Sequence, residues 1–136
     1  MQDQLRLMET GLERAAESIG DITGPVMARF YAAHPAARAA FEHHGVGDPA
    51  ALEAQMVENA LMAAMTWLER PAEVRILFGG SVPHHQDTLA VPPGWYRGLM
   101  EATIDVIAGS IPPQNRAELE LWDAIRRSLV QEIEAA

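Results

Sequence analysis

The sequence predicts a single domain built from α-helices alone. Apolar residues recur every three or four positions along nearly the whole chain, which is the spacing of one buried helix face. No long stretch alternates apolar with polar residues, as a half-buried β-strand would. A length of 136 residues with 49% hydrophobic and 21% charged side chains is typical of one folded domain with one core. The fold class that we expect is therefore all-α.

Capping and turn residues delimit the first two predicted helices. Residues 3–19 carry an apolar stripe and form the first helix. Thr23 is expected to be the N-cap of the second helix, with Pro25 in its first turn. This helix should end near His34, because the residue before Pro35 is disfavoured in the α conformation.

A short helical segment and a long helix are expected next. Residues 35–41 are predicted to be helical, and the loop 42–48 ends in Asp48, a good N-cap residue. The following segment, 49–69, is dense in Ala, Leu, Met and Glu, which favour helix, and Pro71 bounds it.

Residues 72–90 form the least regular segment. Their spacing is helical at first, but Gly79, Gly80 and Pro83 are expected to interrupt the helix before two adjacent histidines. A helix is then predicted from Pro92 to about residue 108, and a last one from Pro113 to the C-terminus. The apolar face of this last helix comprises Leu119, Trp122, Ile125, Leu129, Val130 and Ile133.

Composition excludes several classes of function. The chain has no cysteine, which removes disulfides, zinc ribbons, iron–sulfur clusters and thiol nucleophiles. Its net charge of −9 disfavours nucleic acid and anionic membranes as partners. No apolar run approaches a membrane span of about 18 residues, and the polar, acidic start is unlike a signal peptide. We therefore expect a cytoplasmic protein.

Five histidines are the candidate chemical groups, since no phosphate-loop or hydrolase motif is present. They do not share a helix face at the spacing that a preformed two-metal site in a helix bundle requires. The five are His34, His43, His44, His84 and His85.

Residues 26–41, VMARFYAAHPAARAAF, resemble the second and third helices of globins. The shared features are an Arg-Phe-aromatic run, a His-Pro junction and a phenylalanine six positions after the proline. In this sequence that phenylalanine is Phe41, counted from Pro35. The resemblance implies that Phe41 lies against a haem.

Residues 84–107 carry a second globin-like pattern. In globins an axial histidine is followed six positions later by an apolar residue, then by a proline, an aromatic residue and a helix. Here this register selects His85, rather than His84, as the iron ligand. The positions that follow it are Val91, Pro92, Trp95, Tyr96, Glu101, Ala102, Ile104 and Ile107.

The same register places Met56 over the sixth coordination position of the iron and Ala60 one turn further on. The resemblance implies that Met27, on the second helix, faces the same position. Many globins have His or Gln where this chain has Met56, so the resemblance implies a gas pocket without a strong hydrogen-bond donor. Gln55 or Glu53 would take this place if the register were shifted.

The resemblance covers about residues 4–134 and implies a globin-like three-on-three helical sandwich without the small fourth helix. Its implied function is reversible binding of a diatomic gas, O2, CO or NO, to a b-type haem whose iron is ligated by His85. The implied haem-binding residues are Met27, Phe41, Met56, Ala60, His85, Val91, Tyr96 and Leu99.

Two other functions remain open at this point. The first is a haem-free, globin-like regulatory or interaction domain that binds an apolar ligand or a partner in the same cleft. The second is an enzyme, a haem-dependent nitric oxide dioxygenase or peroxidase, which would need an external reductase. Assembly into a homodimer is also open.

Overall fold

The computed structural model describes residues 2–136 and, over this range, contains helices and no strand. The all-α prediction is confirmed. Seven α-helices succeed one another along this range, and one turn of π-helix lies between the fifth and the sixth. Their bounds are α1 Gln2–Ser18, α2 Thr23–Ala33, α3 Ala37–His44, α4 Pro49–Trp67, α5 Pro71–Pro83, the π-turn His84–Thr88, α6 Pro93–Gly109 and α7 Arg116–Ala135.

The predicted helix starts are right at α4 and wrong at α2. The side chain of Asp48 accepts a hydrogen bond from the backbone N–H of Ala51 at 3.1 Å, as expected of an N-cap. Thr23 is not an N-cap, because it is already the first residue of α2. The side chain of Asp21 accepts its backbone N–H at 2.9 Å instead.

Three other boundaries differ from the prediction. Helix α3 continues to His44, beyond the expected end at residue 41. Helix α5 is not interrupted at Gly79 and Gly80, because the buried Val74, Phe78 and Val82 hold it against the core. It also includes Pro83, which lies in its last turn. Helix α7 begins at Arg116, later than predicted.

Helix α6 is central to the packing, since it contacts α1, α2, α4 and α7. One apolar cluster surrounds the fully buried Trp122 and Phe78, and a second surrounds Val26 and Phe30. The predicted face of α7 is confirmed in most positions: Trp122, Ile125, Leu129 and Ile133 are buried, and Leu119 and Val130 are half-buried.

Glycines permit two close helix contacts. A Cβ at Gly98 on α6 would lie 2.6 Å from His34 Nε2 at the end of α2. A Cβ at Gly11 on α1 would lie 2.6 Å from Trp122 Nε1 on α7. Any larger residue at either position therefore requires the neighbouring ring to move.

A buried carboxylate joins α1 to α7. Glu118 is 3% exposed and accepts hydrogen bonds from Arg14 Nη1 at 2.7 Å and Asn115 Nδ2 at 3.0 Å. Burial raises the pKa of Glu118, but the hydrogen bonds from Arg14 and Asn115 outweigh it, so the pKa is lower than usual.

Within residues 2–136, none of the helices combines the length and apolar character needed to cross a membrane.

Candidate functional site

A cavity of about 320 Å³ lies between the two apolar clusters, with walls from α2, α3, α4, α5, the π-turn and α6. Seven of the eight residues singled out in the sequence line it: Phe41, Met56, Ala60, His85, Val91, Tyr96 and Leu99. The eighth, Met27, does not. It is 4% exposed and belongs to the apolar cluster around Val26.

Most of the residues that line the cavity are apolar. The volume of the cavity falls in the range of about 300–1,000 Å³ that is usual for small-molecule sites. The further apolar lining residues are Phe30, Ala40, Leu52, Met62, Leu77, Phe78, Leu89, Trp95 and Met100. The polar lining residues are His44, Asn59, Ser81, His85 and Tyr96.

The ring of His85 has a defined proton position. Its Nδ1 lies 2.7 Å from the backbone carbonyl oxygen of Ser81, one helical turn earlier. Because a carbonyl oxygen can only accept, this contact requires a proton on Nδ1. The neutral ring then has its lone pair on Nε2, the form in which histidine binds a metal through Nε2. Nε2 has no hydrogen-bond partner among the residues described.

Tyr96 confines the same ring. The ring centroids of Tyr96 and His85 are 5.2 Å apart at an angle of 78°, an edge-to-face contact. The Tyr96 hydroxyl donates a hydrogen bond to Ser81 Oγ at 2.9 Å. Burial raises the pKa of Tyr96, and the hydrogen bond to Ser81 only partly opposes this rise. The phenol is therefore a protonated donor at neutral pH.

The π-turn distinguishes His85 from its neighbour. Helix α5 ends at Pro83, and the wider turn that follows leaves His84 exposed while His85 lines the cavity. The backbone N–H of Val91 donates to the His85 carbonyl at 2.8 Å. Within the turn that this hydrogen bond closes, Ala90 has a φ of +56°, in the left-handed region. Such π-turns often occur at functional sites.

Helix α4 carries Met56 and Ala60, the two residues that the globin resemblance places beside the bound gas. Met56 and Ala60 both line the cavity. The two alternatives to Met56 do not: Glu53 accepts a hydrogen bond from the Tyr31 hydroxyl at 2.7 Å, and Gln55 donates to Asn59 Oδ1 at 2.9 Å.

The cavity reaches the surface between α4 and α5. Met62 is 53% exposed and Leu77 is 49% exposed, and both line it. His44 and Asn59 are exposed lining residues and supply polar groups toward solvent. A ligand could therefore present a polar edge to water while its apolar body is buried.

Three polar residues of the lining, Ser81, Asn59 and His44, carry little signal in the sequence. Ser81 is recognisable only by its place four residues before His85, which is one helical turn. Asn59 lies three residues after Met56 and so shares its helix face. His44 lines the cavity because α3 extends further than predicted.

No protein-family model, curated protein or solved structure matches the chain.

Proposed function

We propose that this protein is a single-domain globin that binds a b-type haem through Nε2 of His85 and binds a diatomic gas, O2, CO or NO, reversibly. The observation that carries the proposal is the hydrogen bond from His85 Nδ1 to the Ser81 carbonyl, in an otherwise mostly apolar cavity. It gives the ring the protonation state that ligation through Nε2 needs.

The order and contacts of the helices support a three-on-three globin arrangement. Helix α6 packs on α2 and α7, α1 packs on α7, and α5 packs on α4 and α7. Only Gly45–Asp48 separate α3 from α4, which agrees with a globin lacking the small fourth helix.

The donor set of the cavity fits a haem. Among the residues that the structure describes, no group of three or more histidines and carboxylates is placed to hold a metal ion. A single imidazole suits an iron whose other in-plane ligands come from a porphyrin. Phe41, Val91 and Leu99 supply apolar surface for a flat aromatic ligand, and His44 and Asn59 lie on its exposed side.

The haem, when bound, supplies the reversible binding of gas at its iron. The protein's own residues keep the site apolar and limit the entry of water. Met56 and Ala60 offer no N–H or O–H donor to a gas, and Asn59, the polar lining residue of the same helix, is exposed and is neither an acid nor a base. We therefore favour gas binding over peroxidase activity, which needs an acid or base on this wall.

The apolar lining also favours a second candidate, a haem-free domain that binds an apolar ligand. The exposed Met62 and Leu77 would be its entrance. A titration with hemin separates the two candidates.

The test is the absorption spectrum of the protein during titration with hemin, followed by dithionite and CO. We expect saturation at one hemin per chain with a sharp Soret band, and a shift with CO that reverses when CO is removed. His85→Ala should lose the sharp band, whereas the adjacent control His84→Ala should keep it. The spectrum of free hemin throughout would refute haem binding and favour the apolar-ligand candidate.

A further inference from the structure

Tyr96 contacts both residues of the hydrogen bond that fixes His85. Its hydroxyl donates to Ser81 Oγ, and its ring lies edge-to-face against the His85 ring. Tyr96 belongs to α6, whereas Ser81 and His85 belong to α5 and the π-turn. Tyr96 therefore links the segment that carries His85 to the central helix of the fold.

Ser81 presents two oxygens to His85 Nδ1, with opposite consequences. The carbonyl oxygen is 2.7 Å away, and the hydroxyl oxygen is 3.5 Å away, at the outer limit of a hydrogen bond. The carbonyl can only accept, but a hydroxyl can also donate. A proton donated to Nδ1 favours the ring form that is protonated on Nε2, which has no lone pair there for a metal.

We propose that the Tyr96 hydroxyl is a positioning group: by donating to Ser81 Oγ it fixes that oxygen at 3.5 Å from His85 Nδ1, too far for effective donation of the serine proton, and so keeps the ring proton on Nδ1. The hydroxyl acts on His85 through Ser81. Its importance for haem rests on the proposed function, but its effect on the His85 ring does not, because that effect exists in the haem-free protein.

The burial of Tyr96 supports this role. The side chain is half-buried, with its ring also packed edge-to-face on Phe78 at 5.9 Å. The phenol therefore has few alternative orientations, and its hydroxyl has Ser81 Oγ as its partner. Tyr96→Phe removes the hydroxyl and keeps the ring that confines His85.

The chain contains a matched control. Tyr31 is the other of its two tyrosines, and its hydroxyl also donates to a side-chain oxygen, that of Glu53, at 2.7 Å. Tyr31 is buried but does not line the cavity. Tyr31→Phe removes an equivalent hydroxyl without touching Ser81 or His85.

The direct test is ¹⁵N NMR of the His85 ring in the haem-free protein at about pH 8, where an ordinary imidazole is neutral. The native protein and Tyr31→Phe should have the proton on Nδ1. Tyr96→Phe should shift the population toward protonation on Nε2. The double variant Tyr96→Phe/Ser81→Ala should return the proton to Nδ1, because the competing hydroxyl is gone and the carbonyl remains.

The return of the proton to Nδ1 in the double variant distinguishes positioning from a merely structural effect. If Tyr96→Phe only disturbed the local structure, removing the Ser81 hydroxyl as well would disturb it further. An unchanged His85 ring in Tyr96→Phe would overturn the proposal. So would a double variant that resembles Tyr96→Phe.

The second measurement is the rate of hemin loss to an excess of a hemin scavenger. We expect Tyr96→Phe to lose hemin about tenfold faster, the lower end of the usual effect of removing an outer partner of a metal ligand. Tyr31→Phe should stay within about twofold of the native rate, and the double variant should lose hemin more slowly than Tyr96→Phe. If the native protein binds no hemin, the proposed function fails, and the NMR measurement alone decides the role of Tyr96.

Discussion

The buried ion pair between α1 and α7 allows a quantitative prediction about stability. Glu118→Gln keeps the size of the side chain but replaces a carboxylate with a neutral amide. It weakens the hydrogen bonds from Arg14 at 2.7 Å and Asn115 at 3.0 Å. A hydrogen bond to a charged group contributes about 1.5–3 kcal/mol. The Arg14 side chain is 26% exposed, so water can partly replace the lost interaction. We therefore expect the free energy of unfolding to fall by about 2 kcal/mol at neutral pH.

For a chain of this length, about 2 kcal/mol lowers the melting temperature by roughly 7 °C. The assay is thermal unfolding followed by circular dichroism at pH 7. Asp123→Asn is the matched control on the same helix, because its ion pair with Arg127 is exposed on both sides. Its effect should be below about 0.5 kcal/mol.

The effect of Glu118→Gln should depend on pH. Since the folded-state pKa of Glu118 lies below its usual value of 4.5, the stabilisation is fully present above that value. It is lost as the pH falls through the folded-state pKa. The difference between native protein and variant should therefore shrink on acidification. A variant as stable as the native protein at pH 7, or a difference that grows in acid, would refute this reasoning.

Three further variants test the packing around the cavity. Ala60→Phe, which places a ring in the cavity, should abolish hemin binding in an absorbance titration while the helical circular dichroism is retained. Gly98→Ala should not give the gain of about 0.5–1 kcal/mol that Ala usually brings inside a helix, because the new methyl group meets His34, and a gain of that size in urea unfolding would contradict the close contact. Ala90→Gly should stabilise the fold by about 0.5 kcal/mol in the same assay, because relief of the left-handed strain exceeds the added chain entropy.

The all-α class and most helix bounds follow from local features of the sequence. Asp48 and Pro49 mark the start of α4, and the apolar spacing of α7 identifies its buried face. Gly79 and Gly80 were misleading, because glycine disfavours helix only weakly and the tertiary packing of Val74, Phe78 and Val82 holds α5 together.

The candidate site could be predicted only in part. The resemblance to globins predicted His85, Met56 and Phe41 at one site, and all three line the cavity. Ser81 could not be chosen in the same way, since its contribution is a backbone carbonyl that every residue has. Met27 differs from these three: its helix contributes to the cavity, but its own side chain packs into the core.

The most direct test of the central claim is chemical rescue of His85→Gly. The native protein should bind one hemin per chain with a sharp Soret band, and His85→Gly should lose that band. Adding free imidazole, which can occupy the space of the missing ring, should restore it, whereas His84→Gly should show the sharp band without imidazole. If His85→Gly binds hemin as the native protein does without imidazole, His85 is not the iron ligand and the account is wrong.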